Sequence, residues 1–243
     1  ADYRDWLLAQ NLTKSSIKRM FGTIRAVFTL AIQEQGLGCQ NPFARTYLAP
    51  VDEVKRYCIS NKDIKRIQKI CLDMADERRL LVALISDTGM RLSEALGLSW
   101  DDIYHEHKNP HINLIPQPWR PLKTSSSRRL IPLVGASYQA VKIMHRQRTT
   151  PFLFNSYTDE KVCNGNSCSA ALNKWLKQHI PDAVIHSFRH SFRDRLRNAA
   201  VQSEMIDQLG GWSNQSVGQR YGDGYSLEKK YQVIKKIVIY SAF

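Results

Sequence analysis

The chain has 243 residues, 43% of them hydrophobic, enough for one large folded domain or two modest ones and ordinary for a globular protein. No stretch approaches the roughly 20 apolar residues that a membrane span needs, and the first residues lack a secretory signal's layout, so a cytoplasmic protein is expected. Lys and Arg total 35 against 22 Asp and Glu, a formal charge of +13, and such an excess points to a polyanionic partner, most commonly nucleic acid.

Residues 12–35 read as a helix, because Ile17, Met20, Phe21, Ile24, Val27, Phe28 and Ala31 recur at steps of three and four, the spacing of one buried stripe. Thr13 or Ser15 is placed to cap it and Gly36 to end it. Lys14, Lys18 and Arg25 lie toward another face, where they either track phosphates or are solvated cations of the kind common on helices. A loop with Asn41-Pro42 follows, and residues 47–59, with Pro50 and mixed charges, read as a linker. Ser60-Asn61-Lys62-Asp63 then opens a helix to about Met74 in the manner of a capping box. A second helix covers Asp76 to Asp87, with Leu80, Leu81, Leu84 and Ile85 as its apolar face. Thr88-Gly89 breaks it, and a third runs from Arg91 to about Leu98.

Ile112 to Pro116 and Arg129 to Leu133 look like short strands joined by a long exposed Pro- and Ser-rich connection. From His107 to Thr158 there is no Asp or Glu, whereas Lys108, Arg120, Lys123, Arg128, Arg129, Lys142, Arg146 and Arg148 all occur, so a phosphate-facing surface is expected here. Helical patterns resume at Ser137 to Arg148, Ser167 to His179, His186 to Ala199 and Ser203 to Leu209. The tail from Ser226 reads as a helix to Lys236 followed by an apolar Ile237–Tyr240 end of strand character. The class is therefore mainly α with a small antiparallel sheet. Five cysteines without metal-site spacing read as free thiols in a reducing compartment.

Three short motifs carry candidate chemistry. In His186-Ser187-Phe188-Arg189 the imidazole and guanidinium are three apart and share a helix face, while Phe188 and Phe192 anchor the adjoining face in the core. Arg91 in Thr88-Gly89-Met90-Arg91-Leu92-Ser93-Glu94 stands at a helix start, where a cation is slightly unfavourable; a grip on an oxyanion accounts for it. Glu94, three residues on, is placed to orient it. Leu209-Gly210-Gly211-Trp212-Ser213 is followed nine residues after Trp212 by Tyr221. Each motif alone also fits a bland reading: exposed polar residues, a surface ion pair, a core tryptophan, one tyrosine among ten.

Taken in chain order and at this spacing, with a basic hairpin between the Arg91 motif and the His186 motif, they resemble those of tyrosine recombinases, the phage integrase family. The resemblance covers about residues 60–225 and extends to residues 12–46, whose helix and Asn41-Pro42-Phe43 resemble the end of the family's core-binding domain. It implies residues 1–46 as a partial helical core-binding domain, 47–59 as linker and 60–243 as the catalytic domain with its C-terminal tail. The family's arm-binding domain is expected to be missing, which would make the chain a fragment. By position, Arg91 and Arg189 would clamp the scissile phosphate and His186 would hydrogen-bond it. Lys123 in Leu122-Lys123-Thr124 would be the general acid, Tyr221 the nucleophile and Glu94 a supporting residue. Trp212 stands where many members carry histidine; its indole donates a hydrogen bond but moves no proton. Arg128 and Arg129 join Lys14, Lys18 and Arg25 as DNA-binding candidates. The implied partners are double-stranded DNA and further copies of the chain, a tetramer in the synaptic complex. No metal, cofactor or membrane is expected. Two other functions remain open at this point: relaxation of supercoils like a type IB topoisomerase, and DNA binding without catalysis.

Overall fold

A computed structural model describes residues 2–45, 57–212 and 224–240. The chain divides into two compact units, Ala1–Lys55 and Arg56–Phe243.

In the first unit, α1 (Asp2–Ala9) precedes α2 (Lys14–Glu34). Thr13 caps α2, its hydroxyl accepting from the Ser16 amide at 3.3 Å, and Gly36 follows the helix at φ +57°. Leu7, Ile17 and Phe21 form the small core, with Met20 and Phe43 against it. The expected stripe is buried only at its beginning: Val27 is 60% and Phe28 42% exposed. Asn41 closes the loop by donating to the Arg25 carbonyl at 2.9 Å, and Arg25 Nε donates to the Phe43 carbonyl at 3.0 Å. Arg25 is thus partly committed to holding this loop, whereas Lys14 and Lys18 are exposed.

The second unit is built around α4 (Glu77–Thr88), buried continuously from Leu80 to Thr88. It packs against α3 (Asn61–Met74), α6 (Gly135–Arg146) and α8 (Ile185–Asn198). Ser60 caps α3 by accepting from the Asp63 amide at 3.1 Å. Ile59, expected in the linker, is instead buried in this unit, its amide donating to Ser191 Oγ at 2.7 Å. The short α5 (Leu92–Leu96) leads into an antiparallel sheet of order β1-β2-β3, formed by Ile103–Tyr104, His111–Leu114 and Arg129–Pro132. Ile112 pairs with Ile131 and Leu114 with Arg129. A two-residue strand such as β1 is too short to show a period. α7 (Gly165–His179), α9 (Ser203–Gly210) and α10 (Leu227–Lys235) complete the described elements. Residues 238–240 form no strand; Arg195 Nη1 of α8 donates to the Ile237 carbonyl at 3.1 Å and holds the start of this segment.

The connection between β2 and β3 departs from the exposed loop expected of it. Arg120 is 1% exposed. Its Nη1 reaches Asp102 Oδ2 at 2.8 Å and the Gly97 carbonyl at 3.0 Å, and its Nη2 reaches the Ile115 carbonyl at 2.7 Å. Arg129 is buried as well. Two cations of the acid-free block therefore face the interior, because their carboxylate partners come from just upstream of the block. Removing Arg120 would strand a buried carboxylate. Arg120→Ala is expected to lower stability by about 3–5 kcal/mol, read from urea unfolding; a loss below about 1 kcal/mol would place the pair at the surface.

Candidate active site

The site begins where α4 ends. Gly89 turns the chain at φ +60°, and a Cβ there would overlap the Phe192 ring of α8. This close approach presents the Gly89 carbonyl to α8, where Arg189 Nη1 donates to it at 2.6 Å. Two residues on, Arg91 has extended backbone and caps α5. Glu94, at the third helical position, accepts from the Arg91 amide at 3.0 Å through Oε2 and from Arg91 Nη1 at 2.5 Å through Oε1. The helix start is therefore closed by a carboxylate that also grips the arginine side chain.

Glu94 is 3% exposed and meets a second cation, Arg129 Nη2, at 3.0 Å. Burial pushes its carboxyl up, but the Arg129 charge and the hydrogen bonds from Arg129 and Arg91 outweigh this and hold it below the ordinary glutamate range. Arg91 Nη1 also donates to Ser127 Oγ at 3.0 Å, and Nη2 makes a long 3.4 Å contact with the Gly211 carbonyl.

On α8, Ile185, Phe188 and Phe192 enter the core. The helix start is held by Asn173 Oδ1, which accepts from the Ile185 amide at 2.8 Å. His186 is exposed and stacks edge-on with His190, ring centroids 4.9 Å apart. Arg189 is 2% exposed. Burial, then the charges of Arg91 and Arg129, pull its guanidinium down to about 9, so it stays cationic at neutral pH. Its Nη2 is buried without a hydrogen-bond partner among the described residues. Trp212 lies under two arginines of α8, its ring centre 4.3 Å from Arg189 Cζ and 4.7 Å from Arg193 Cζ. Asp207 holds Arg193 in turn at 3.1 Å.

The structure thus brings together Arg91, Glu94, Arg189 and Trp212. Lys123 and Arg128 are exposed, flanking the turn Ser125–Ser127 whose last residue touches Arg91. Tyr221 lies outside the described residues. Arg129 is buried, and each of its three nitrogens donates within the protein, to Glu94 Oε2, to the Ser127 carbonyl at 2.7 Å and to the Leu209 carbonyl at 2.9 Å. This burial weighs against its expected place on a DNA-facing surface, since three of its five N–H donors are taken by the protein's own acceptors. Ser127 and Arg193 were not singled out in the sequence, and a serine-rich turn or one more helix arginine holds no signal that would have found them.

An oxyanion is the ligand that such a cluster fits. A family model for the phage integrase family matches residues 58–226. The chain belongs to that family. The transposase from transposon Tn916 of Enterococcus faecalis is 23% identical over 255 residues, covering 91% of this chain and 62% of the transposase. The chain spans about three fifths of that relative's length. The tyrosine recombinase XerC of Pediococcus pentosaceus is 21% identical over 234 residues, covering 90% of this chain and 74% of XerC. Among solved structures, the Tn1549 transposon integrase in complex with a circular intermediate DNA matches with a TM-score of 0.66 at 18% identity, over 98% of this chain and 84% of that one. A lambda integrase tetramer bound to a Holliday junction matches with a TM-score of 0.60 at 15% identity, over 88% and 63%. The fold of this phage integrase family member is that of tyrosine recombinases: mainly helical, with a three-stranded antiparallel sheet.

Because the Glu94 carboxyl is held low, its contribution to stability is complete above the ordinary glutamate range and is lost as pH falls through its depressed value. Glu94→Gln is therefore expected to cost about 3 kcal/mol at neutral pH and progressively less in acid. Thermal melts of both proteins from neutral to acid pH test this; a constant gap between the two curves would contradict it.

Proposed function

We propose that this chain carries the strand-cleaving and rejoining centre of a site-specific DNA recombinase of a phage or other mobile element. The observation that carries the reading is the pair of arginines, Arg91 braced by Glu94 and Arg189 held by the Gly89 carbonyl, with Arg189 Nη2 left without a partner among the described residues. A buried donor with nothing to donate to costs free energy unless a ligand supplies the acceptor. Two fixed guanidiniums suit the non-bridging oxygens of a phosphodiester.

In this reading the Tyr221 oxygen attacks the scissile phosphorus. The bond from phosphorus to the 5′ oxygen breaks, and the DNA 3′ end is left as a phosphotyrosyl ester. Arg91 and Arg189 neutralise the charge that builds on the phosphate, and His186 hydrogen-bonds it. Lys123 gives its proton to the departing 5′ oxygen, a task arginine does not perform readily. The tyrosine proton leaves for solvent or a nearby base. The ester keeps the bond energy, so a 5′ hydroxyl reverses the step without ATP. Trp212 adds an indole donor and a flat surface for Arg189. The cationic donors supply the charge neutralisation, so no metal is expected to be needed.

Lys14, Lys18 and Arg128, all exposed, are proposed to contact phosphates. The partners are double-stranded DNA and further copies of the chain, forming a tetramer at synapsis, in a cytoplasmic protein. The DNA and the tetramer in the structures of the Tn1549 and lambda integrases support this reading. Tyr225, a nearby alternative nucleophile, already donates its hydroxyl to Gln202 Oε1 at 2.7 Å.

Nicked duplexes tiling the DNA that flanks the gene would trap the covalent complex. An adduct is expected with the unaltered chain and chelator present, and none with Tyr221→Phe; an adduct that survives this substitution, or that requires Mg²⁺, would overturn the mechanism. Arg91→Ala and Arg189→Ala should each slow cleavage at least 100-fold while binding weakens far less. Lys123→Ala should be slow on ordinary DNA and largely restored when sulfur replaces the 5′ bridging oxygen, because thiolate leaves without a proton. Equal slowness on both substrates would reduce Lys123 to a phosphate contact.

A further inference from the structure

We propose that Arg129 is a positioning residue that sets the Lys123 turn and the Trp212 segment against Arg91, and that it makes no contact with DNA. The proposal rests on the recombinase reading and assigns a role that the reading itself leaves open.

Arg129 is 7% exposed at the start of β3. Each of its three nitrogens donates to a different part of the site. Nη2 reaches Glu94 Oε2 at 3.0 Å, and Glu94 holds Arg91 through both the main chain and the side chain. Nη1 reaches the Ser127 carbonyl at 2.7 Å, in the turn that follows Lys123 by two residues. Nε reaches the Leu209 carbonyl at 2.9 Å, three residues before Trp212. The guanidinium is a rigid planar fork, so these three bonds fix three chain segments relative to one another. A lysine at this position carries its three donors on a single nitrogen and has no such plane.

Gly211 is an independent sign of the same device. It turns at φ +63°, and a Cβ there would meet Arg129 Nη1 at 2.6 Å, Arg129 Cζ at 3.0 Å and the Ser126 carbonyl at 3.1 Å. The chain entering Trp212 therefore crosses close to the face of the fork, at a distance that only glycine allows. Arg91 Nη2 makes its long 3.4 Å contact with the carbonyl of the same Gly211. Loosening the fork would misplace the proton donor and the indole relative to the phosphate clamp. A displacement of about 1 Å in such a constellation costs on the order of 100-fold in rate.

The test uses the full chain with Arg129→Lys and Gly211→Ala, the second keeping the arginine but crowding it. Binding to a random-sequence duplex is titrated with salt, and adduct formation is timed at saturating concentrations of the nicked flanking DNA, below the melting temperature of each protein. Both variants are expected to keep the salt slope of the unaltered chain and to form adduct about 100-fold more slowly. An unchanged saturated rate in Arg129→Lys, or a salt slope reduced by about one unit in the uncharged variant Arg129→Gln with its saturated rate unchanged, would overturn the proposal, the second by making Arg129 a phosphate contact. If Arg129→Lys does not fold, an unchanged rate in Gly211→Ala overturns it alone. Failure of the unaltered chain to form any adduct would be the distinct result that overturns the recombinase reading, because the proposal concerns only the difference between the variants and that chain.

Discussion

Cations gathered at one site repel one another until an anion arrives. At an effective dielectric near 20, two unit charges 4 Å apart interact by about 4 kcal/mol. Arg91, Arg129 and Arg189 lie near enough for this repulsion to register on Arg189. One carboxylate answers it. Glu94 is buried between Arg91 and Arg129, and its own desolvation is overcome by the charge and hydrogen bonds it receives from them. The cluster keeps a positive excess aimed at one place while remaining compatible with a folded protein. The α5 cap, the β3 fork and the passage into Trp212 all converge on that carboxylate or on its partner.

The packing of α4 on α8 sets the other half of the site. Phe192 occupies the space that a side chain at position 89 would need. The helices therefore approach closely enough for one backbone carbonyl to fix Arg189. Trp212 then lies against that arginine and Arg193, a turn further along α8. Among the described residues Arg189 is consequently held by a dipole and an aromatic face rather than by a salt bridge. Its charge is left for a ligand.

Most helices were legible from periodicity, because each buries one face: the stripes predicted for α3, α4 and α6 to α10 fall within a few residues of the observed elements. α1 and β1 were not, being short and, for β1, without a readable period. Charge misled where it was read as exposure. The acid-free run from His107 to Thr158 looked like a phosphate-facing surface, yet Arg120 and Arg129 are internal. Their partners, Asp102 and Glu94, lie outside the run, and folding joins what the linear pattern keeps apart. In the site, the nearness of Arg91 and Glu94 followed from a three-residue spacing on a helix. The part played by Ser127 and Gly211 depends on contacts across more than 30 residues, which no local pattern encodes.

The Arg120–Asp102 pair has a consequence for how this chain can diverge. Losing either partner alone exposes a lineage to a folding penalty comparable with a sizeable part of a domain's total stability, about 5–15 kcal/mol. Exchange of both for apolar groups of similar volume need not be harmful. The two positions therefore drift as a unit, through a narrow passage that crosses an unfavourable intermediate. A descendant without arginine at position 120 is expected to have abandoned aspartate at 102 as well, and the linkage would appear in an alignment as co-variation between a loop and a short helical turn 18 residues apart.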